Sequence, residues 1–135
     1  DMHMNGNAIC RDFDVESGLA LNSESELKLE NGFAAFTKDF FDNGAYVVEN
    51  NQTHEVSLRD PAGKNYLNVY FPEAPLFGLW SAEKKNAPYA AIEPWFGRCD
   101  KEDFNGSLEE REWGHALAQG ACFQAAYTIE IAGED

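Results

Sequence analysis

Turn-forming residues recur so closely along this chain that they limit the length of every regular element. Glycine, proline and asparagine interrupt the apolar pattern throughout, and no apolar stripe at helical spacing is long enough for an amphipathic helix. The intervening pieces are short and alternate between apolar and polar residues, which is typical of strands with one buried face. We therefore predict about seven to nine short strands and an all-β fold of the β-sandwich type.

The first strands are predicted from alternation and from the turns between them. Residues 1–18 are polar and aperiodic, and we expect a loop or arm there with at most a short strand at 8–11. Residues 45–49 and 53–59 are predicted to form a β-hairpin, because only three polar residues separate them. Residues 66–71 are predicted to be the third strand of a meander.

The remaining strands are predicted at 19–22, 26–30, 76–80, 89–93 and 122–131. The last is the clearest, and the apolar residues along one of its sides are Phe123, Ala125, Tyr127, Ile129 and Ile131. Single helical turns are expected at 37–44 and at 107–113, the second opened by a capping box. With 135 residues the chain is one domain or part of one. We divide it into an arm with short strands at 1–31 and a sandwich portion at 32–135.

The net charge and the cysteine spacing argue against several classes of partner and site. The chain has 24 Asp and Glu against 10 Lys and Arg, which gives a formal net charge of −14. This charge disfavours nucleic acid and anionic membrane surfaces, because both would repel it. The three cysteines lack the spacing of a disulfide framework or a zinc site. There is no apolar run of transmembrane length and no signal-peptide pattern, so a cytoplasmic location is expected.

The run at 88–100, PYAAIEPWFGRCD, ends a predicted apolar strand with a single carboxylate. Glu93 directly precedes Pro94, which is expected to stop the strand ladder because proline has no amide hydrogen. A carboxylate flanked by aromatic rings is partly desolvated, which suits it for proton abstraction near neutral pH. A glutamate that caps a turn or pairs with Arg98 fits the same pattern, so the residues alone leave both roles open.

Four stretches, in order along the chain, resemble the aldose 1-epimerase (galactose mutarotase) family, in its branch of LacX-like hexose epimerases. They are FTKDFFDNGAYVV at 36–48, PLFGLWS at 75–81, IEPWFGRCD at 92–100 and the closing segment at 108–131 with LEEREW, LAQG and FQAAYTIEI. The likeness covers 32–131 and corresponds to the C-terminal half of the family's domain. It implies a galactose mutarotase-like supersandwich, of which this chain is the C-terminal portion.

The resemblance also implies a reaction and a role for Glu93. In that family the glutamate of this strand is the general base that takes the proton from the anomeric hydroxyl, while a histidine protonates the ring oxygen. The ring opens, the C1–C2 bond rotates, and closure gives the other anomer. This chemistry needs no metal or nucleotide, so no cofactor is expected and the partner is a small-molecule hexose.

The acid of this reaction has no clear counterpart here. The family's histidine lies on a Gly-x-His-Pro stretch, and this chain contains no His-Pro. Its histidines are His3, His54 and His115. His54 is expected to face solvent, and His115 is a candidate for the rim of the ligand site. We expect the acid to lie on a segment outside this chain; the alternative is a polypeptide that is catalytically incomplete.

Two residues that follow Glu93 are further candidates for contact with a sugar. Trp95 suits stacking on the apolar face of a pyranose, and it equally suits a place in the core beneath the turn. Arg98 suits donation to sugar hydroxyls, and it equally suits an ion pair with Asp100 or Glu93. The predicted site therefore has Glu93 as catalytic residue, Trp95, Arg98 and His115 as substrate-binding residues, and no metal ligand.

The missing His-Pro stretch keeps a second class of function open, that of a non-catalytic carbohydrate-binding module. A further possibility is that a second chain or segment completes the sandwich. Half of a two-sheet fold leaves open sheet edges and exposed apolar faces, which such a partner would cover.

Overall fold

The structure is a computed structural model that describes residues 6–132, and this part of the chain forms two antiparallel sheets with almost no helix. Its strands are β1 (Ala8–Phe13), β2 (Ala20–Leu27), β3 (Tyr46–Val48), β4 (Glu55–Arg59), β5 (Asn65–Tyr70), β6 (Leu76–Trp80), β7 (Ala91–Trp95) and β8 (Thr128–Ile131). The larger sheet has the order β2-β1-β3-β6-β7, and the smaller has the order β4-β5-β8. The predicted all-β sandwich is confirmed. None of the helical elements within residues 6–132 is long and apolar enough to cross a membrane.

The hydrophobic core is shared by the two sheets. Cys10, Val48 and Phe77 come from the larger sheet and pack in one cluster with Val56 and Val69 from the smaller sheet. Because side chains alternate along a strand, this core occupies only one face of the larger sheet.

The opposite face of the larger sheet, which we call the outer face, carries a row of directly paired residues. Arg11 pairs with Val47, Val47 with Gly78, and Gly78 with Glu93, so the row crosses β1, β3, β6 and β7. Glu93 therefore lies on the face that the core leaves free.

The N-terminal part of the chain is more ordered than the sequence suggested. The expected short strand at 8–11 extends over Ala8–Phe13 and lies between β2 and β3 inside the larger sheet. Ala8 and Cys10 are almost fully buried there. The two short strands expected at 19–22 and 26–30 are wrong, since one continuous strand, Ala20–Leu27, takes their place. Pairing with β1 along its length holds this largely exposed strand together.

The predicted hairpin between 45–49 and 53–59 is wrong, because the two strands belong to different sheets. β3 pairs with β1 and β6, whereas β4 pairs with β5. Asn50 and Asn51 both have positive φ, at 64° and 55°, which redirects the chain from one sheet to the other. The pairing of the strands predicted at 53–59 and 66–71 is confirmed.

The last predicted strand is shorter than expected. β8 covers only Thr128–Ile131, and residues 121–127 are irregular and exposed. The helical turn expected at 37–44 is a series of hydrogen-bonded turns. The expected turn at 107–113 is a 3-10 turn limited to Leu108–Glu110, where the Ser107 amide donates to Glu110 Oε2 at 2.7 Å as a capping box requires.

Candidate functional site

Pro94 does not end the strand that carries Glu93, and that expectation is wrong. β7 runs through Pro94 to Trp95, and these residues pair with Phe77 and Leu76 of β6. β7 is the edge strand of the sheet in residues 6–132, and proline is tolerated at an edge because its missing amide hydrogen can face away from the ladder. Trp95 is therefore part of the strand and not of a turn. Two residues beyond Glu93, it lies on the same face.

The Trp95 side chain holds the Glu93 carboxylate. The indole Nε1 donates to Glu93 Oε2 at 3.2 Å. The ring rests over Gly78, since a methyl group built there would lie 3.0 Å from Trp95 Cζ2. Both side chains are partly buried. Glycine at this position leaves room for the indole to lie across β6, and the indole in turn fixes the direction of the carboxylate.

Arg98 lies in a buried ion-pair arrangement. Its side chain is 1% exposed, its Nε contacts Glu49 Oε1, and its Nη2 contacts Glu112 Oε2. Its Nη1 donates to the Cys99 carbonyl oxygen at 2.8 Å. Burial opposes the charge, but the bonds and charges of the two glutamates outweigh it and raise the pKa of Arg98.

The partners of Arg98 differ from those expected from the sequence. The ion pair with Asp100 or Glu93, one of the two roles left open for Arg98, is not formed. Asp100 accepts from Arg111 Nε at 2.6 Å, and Glu93 accepts from Trp95. Each nitrogen of the Arg98 guanidinium already has a protein partner, so a sugar hydroxyl would have to compete for it.

The pairs around Arg98 continue into a longer chain of alternating charges. Its members, which we call the ion-pair chain, are Glu24, Arg11, Glu49, Arg98, Glu112 and Lys101. Glu49, at its centre, is 4% exposed and contacts both arginines, with Arg11 Nε at 3.4 Å. The ion-pair chain connects β2, β1 and the end of β3 to the segment that follows β7. It therefore anchors the backbone directly after Trp95.

The two histidines within the described residues contact aromatic residues and backbone oxygens. His115 is exposed, its Nε2 contacts the Phe96 carbonyl oxygen, and its ring centroid lies 4.8 Å from that of Phe123. His54 is exposed, as predicted, with Nδ1 3.3 Å from the Phe71 carbonyl oxygen. His3 lies outside the described residues.

A hollow of about 510 Å³ lies at the end of β7. Its lining includes Trp95 and Arg98, but not Glu93, together with Phe13 and Gly18 from the end of β1 and the turn after it. Sequence analysis missed the last two, because nothing local to β1 indicates that it ends beside β7. In residues 6–132, no group of three or more His, Cys, Asp or Glu is placed to hold a metal ion.

Solved structures resemble this arrangement over nearly the whole chain. A galactose mutarotase-related enzyme from Lactobacillus acidophilus matches with a TM-score of 0.83 and 29% identity, over 98% of this chain and 44% of its own. The fold is that of galactose mutarotase-related proteins. A galactose mutarotase-like protein from Lactobacillus casei matches with a TM-score of 0.73 and 21% identity, over 93% of this chain and 43% of its own.

This chain thus spans less than half the length of either structural relative. That extent agrees with the prediction that it is a portion of a mutarotase-like domain. No family model and no curated protein matches the sequence. The LacX-like branch remains a prediction.

Proposed function

We propose that this chain carries the general base of a hexose 1-epimerase, or mutarotase, and that Glu93 is that base. The observation that carries the proposal is the indole-to-carboxylate bond between Trp95 and Glu93 on the outer face of the larger sheet. The similarity to galactose mutarotase-related proteins supports the substrate class, a hexose. A cytoplasmic location remains a prediction.

The proposed chemistry uses the two oxygens of the carboxylate differently. Oε2 accepts from the Trp95 indole, which leaves Oε1 to accept the proton of the anomeric hydroxyl. As that proton leaves, the electron pair on the anomeric oxygen forms the C1 carbonyl, the bond from C1 to the ring oxygen breaks, and the ring oxygen takes a proton. Rotation about C1–C2 and the reverse steps give the other anomer, with Glu93 returned to its starting state.

The acid that protonates the ring oxygen is proposed to come from outside residues 6–132. His54 lies against the Phe71 carbonyl oxygen. His115 contacts the Phe96 carbonyl oxygen and the Phe123 ring. Trp95 and His115 are proposed as sugar contacts. Arg98 is proposed to act by holding the backbone that follows Trp95, because its three nitrogens already have protein partners.

A carbohydrate-binding module without catalysis is the second candidate, and the unidentified acid is what favours it. Two measurements distinguish the candidates when both are made on this chain mixed with the part of the Lactobacillus acidophilus protein that it does not cover, which is the proposed source of the acid. Saturation-transfer NMR with α-galactose and α-glucose reports binding, and polarimetry reports anomer interconversion. The proposal expects binding together with an interconversion rate above that of buffer. Binding without faster interconversion identifies the module, and neither effect rejects both functions.

A further inference from the structure

The hydrophobic core stops abruptly between β5 and β8. Val69 pairs with Ile129, and Leu67 pairs with Ile131, so these four side chains lie on the same face of the smaller sheet. Val69 is 4% exposed, whereas Ile129 is 53% exposed and Ile131 is 77% exposed. The face of the smaller sheet that is buried in the core at β5 is therefore exposed at the neighbouring strand β8.

β8 also has a free edge within residues 6–132, because it is the last strand of the order β4-β5-β8. The strand carries neither a proline nor a lysine, two residues that commonly protect an edge from pairing. Its one charge, Glu130, is bonded on the opposite face by Asn68 at 2.8 Å and by Tyr70 at 3.0 Å. That charge therefore does not shield the uncovered isoleucines.

The segment before β8 extends this apolar surface. Tyr127, the residue directly before β8, is about half exposed. Together with Ile129 and Ile131 it defines what we call the β8 surface. Large apolar side chains that stand next to a free edge and continue a buried core mark a place for another β-structure.

We propose that the β8 surface docks a β-rich polypeptide that supplies the remainder of a mutarotase-like sandwich. Its contacting strand pairs with the free edge of β8, and its alternate apolar side chains cover Ile129 and Ile131. The size of the structural relative argues for this occupant: this chain covers 44% of that protein, so more than half of a similar domain has no counterpart here. A second copy of this chain is disfavoured, because each copy carries a net charge of −14. This inference rests on the fold and not on the role of Glu93.

The test mixes the 135-residue chain with a defined probe, the part of the Lactobacillus acidophilus protein that this chain does not cover, made as a separate polypeptide. Light scattering after size exclusion is expected to show a one-to-one complex. Hydrogen exchange is expected to slow at the amides of 128–131. Ile129→Asp and Ile131→Asp each weaken the complex, by on the order of tenfold or more.

The matched control is Val15→Asp, which places the same charge at another exposed apolar residue, in the turn between β1 and β2. It is expected to leave the affinity unchanged. The two isoleucines are exposed, so circular dichroism of their variants should match that of the wild type. The proposal is overturned if no complex forms, if Val15→Asp weakens the complex equally, or if the chain alone forms a dimer that Ile129→Asp dissociates. A complex without mutarotation keeps this inference and removes the proposed function.

Discussion

The indole nitrogen of Trp95 lies 3.2 Å from a carboxylate oxygen of Glu93, two residues earlier on the same edge strand. The two side chains share a face because the strand continues through Pro94. The direction of the proposed base thus depends on where the indole rests, and the indole rests over Gly78. The residue predicted to stack on a sugar also orients the carboxylate.

Gly78→Ala is expected to displace the Trp95 ring. The added methyl group would lie 3.0 Å from Cζ2, so the ring must move by a few tenths of an ångström. We expect a shift of the Trp95 indole N–H resonance and a free energy of unfolding lower by about 1 kcal/mol. Gly114→Ala is the control, because its nearest neighbour, the Arg111 carbonyl oxygen, is 3.4 Å away. Equal resonance shifts in the two variants would show that the ring does not rest on Gly78.

Arg98→Ala is expected to destabilise the protein strongly. It leaves the buried Glu49 with a single, more distant partner, Arg11 at 3.4 Å, and removing one partner of a buried ion pair costs about 3–5 kcal/mol. Lys101→Ala removes another cation of the ion-pair chain, but its partner Glu112 is about half exposed. That loss should stay within about 1 kcal/mol. Urea unfolding measures both variants, and similar losses would contradict a structural role for Arg98.

The sequence predicts best the strands whose signals lie within a few residues of the strand itself. β6 and the β4–β5 pair follow from alternation within a few residues and from the turns that bound them. Such signals also place Ile129 and Ile131 on the same face as one another. They do not indicate whether that face is covered, which depends on whatever packs against it.

Distant pairing explains what the sequence could not predict. The sequence around β1 predicts a loop or arm, and β1 is held in the sheet by pairing with β3, which lies more than thirty residues later in the chain. Glu49 has no local feature that connects it to Arg98. Pro94 reads as a strand end, and only the position of β7 at the sheet edge makes it compatible with the ladder. Of the candidate site, the sequence supplied Glu93 and Trp95, but not the glycine beneath them.

The decrease in the free energy of unfolding at acidic pH is expected to depend in part on Glu112. The bond from Lys101, at 2.8 Å, and the contact from Arg98 lower the pKa of Glu112 below its ordinary value of 4.5. A carboxyl with a lowered folded-state pKa stabilises the fold above the unfolded value and loses that contribution as the pH falls through the folded one. The difference in unfolding free energy between wild type and Glu112→Gln should therefore be constant from pH 7 to about 5 and shrink below about 4.5.

Glu102→Gln, at an exposed glutamate of the same loop, is the control for this pH dependence. Denaturant unfolding at a series of pH values measures all three proteins. A Glu112→Gln difference that stays constant down to pH 3 would contradict the assignment.

Cysteine reactivity is expected to report the position of β1. Cys10 is buried on β1, between β2 and β3 of the larger sheet, and burial raises its pKa to about 12, so it stays a thiol at pH 8. Cys122 is exposed. Iodoacetamide should alkylate Cys122 in the native protein and Cys10 only after unfolding, as followed by mass spectrometry of peptides. Equal rates at the two cysteines would mean that β1 is not held inside the sheet.

Polarimetry of Glu93→Gln tests the central claim most directly. The substitution keeps the size of the side chain and removes the base, and Glu16→Gln, in an exposed turn, is the matched control. With the part of the Lactobacillus acidophilus protein that this chain does not cover present as the proposed source of the acid, we expect the wild-type chain and the control to speed the interconversion of α-galactose over buffer and over that part alone. The excess rate of Glu93→Gln should fall by on the order of 10²-fold, the contribution of a positioned general base. A Glu93→Gln protein as fast as the wild type, or a wild type no faster than buffer, would contradict the account.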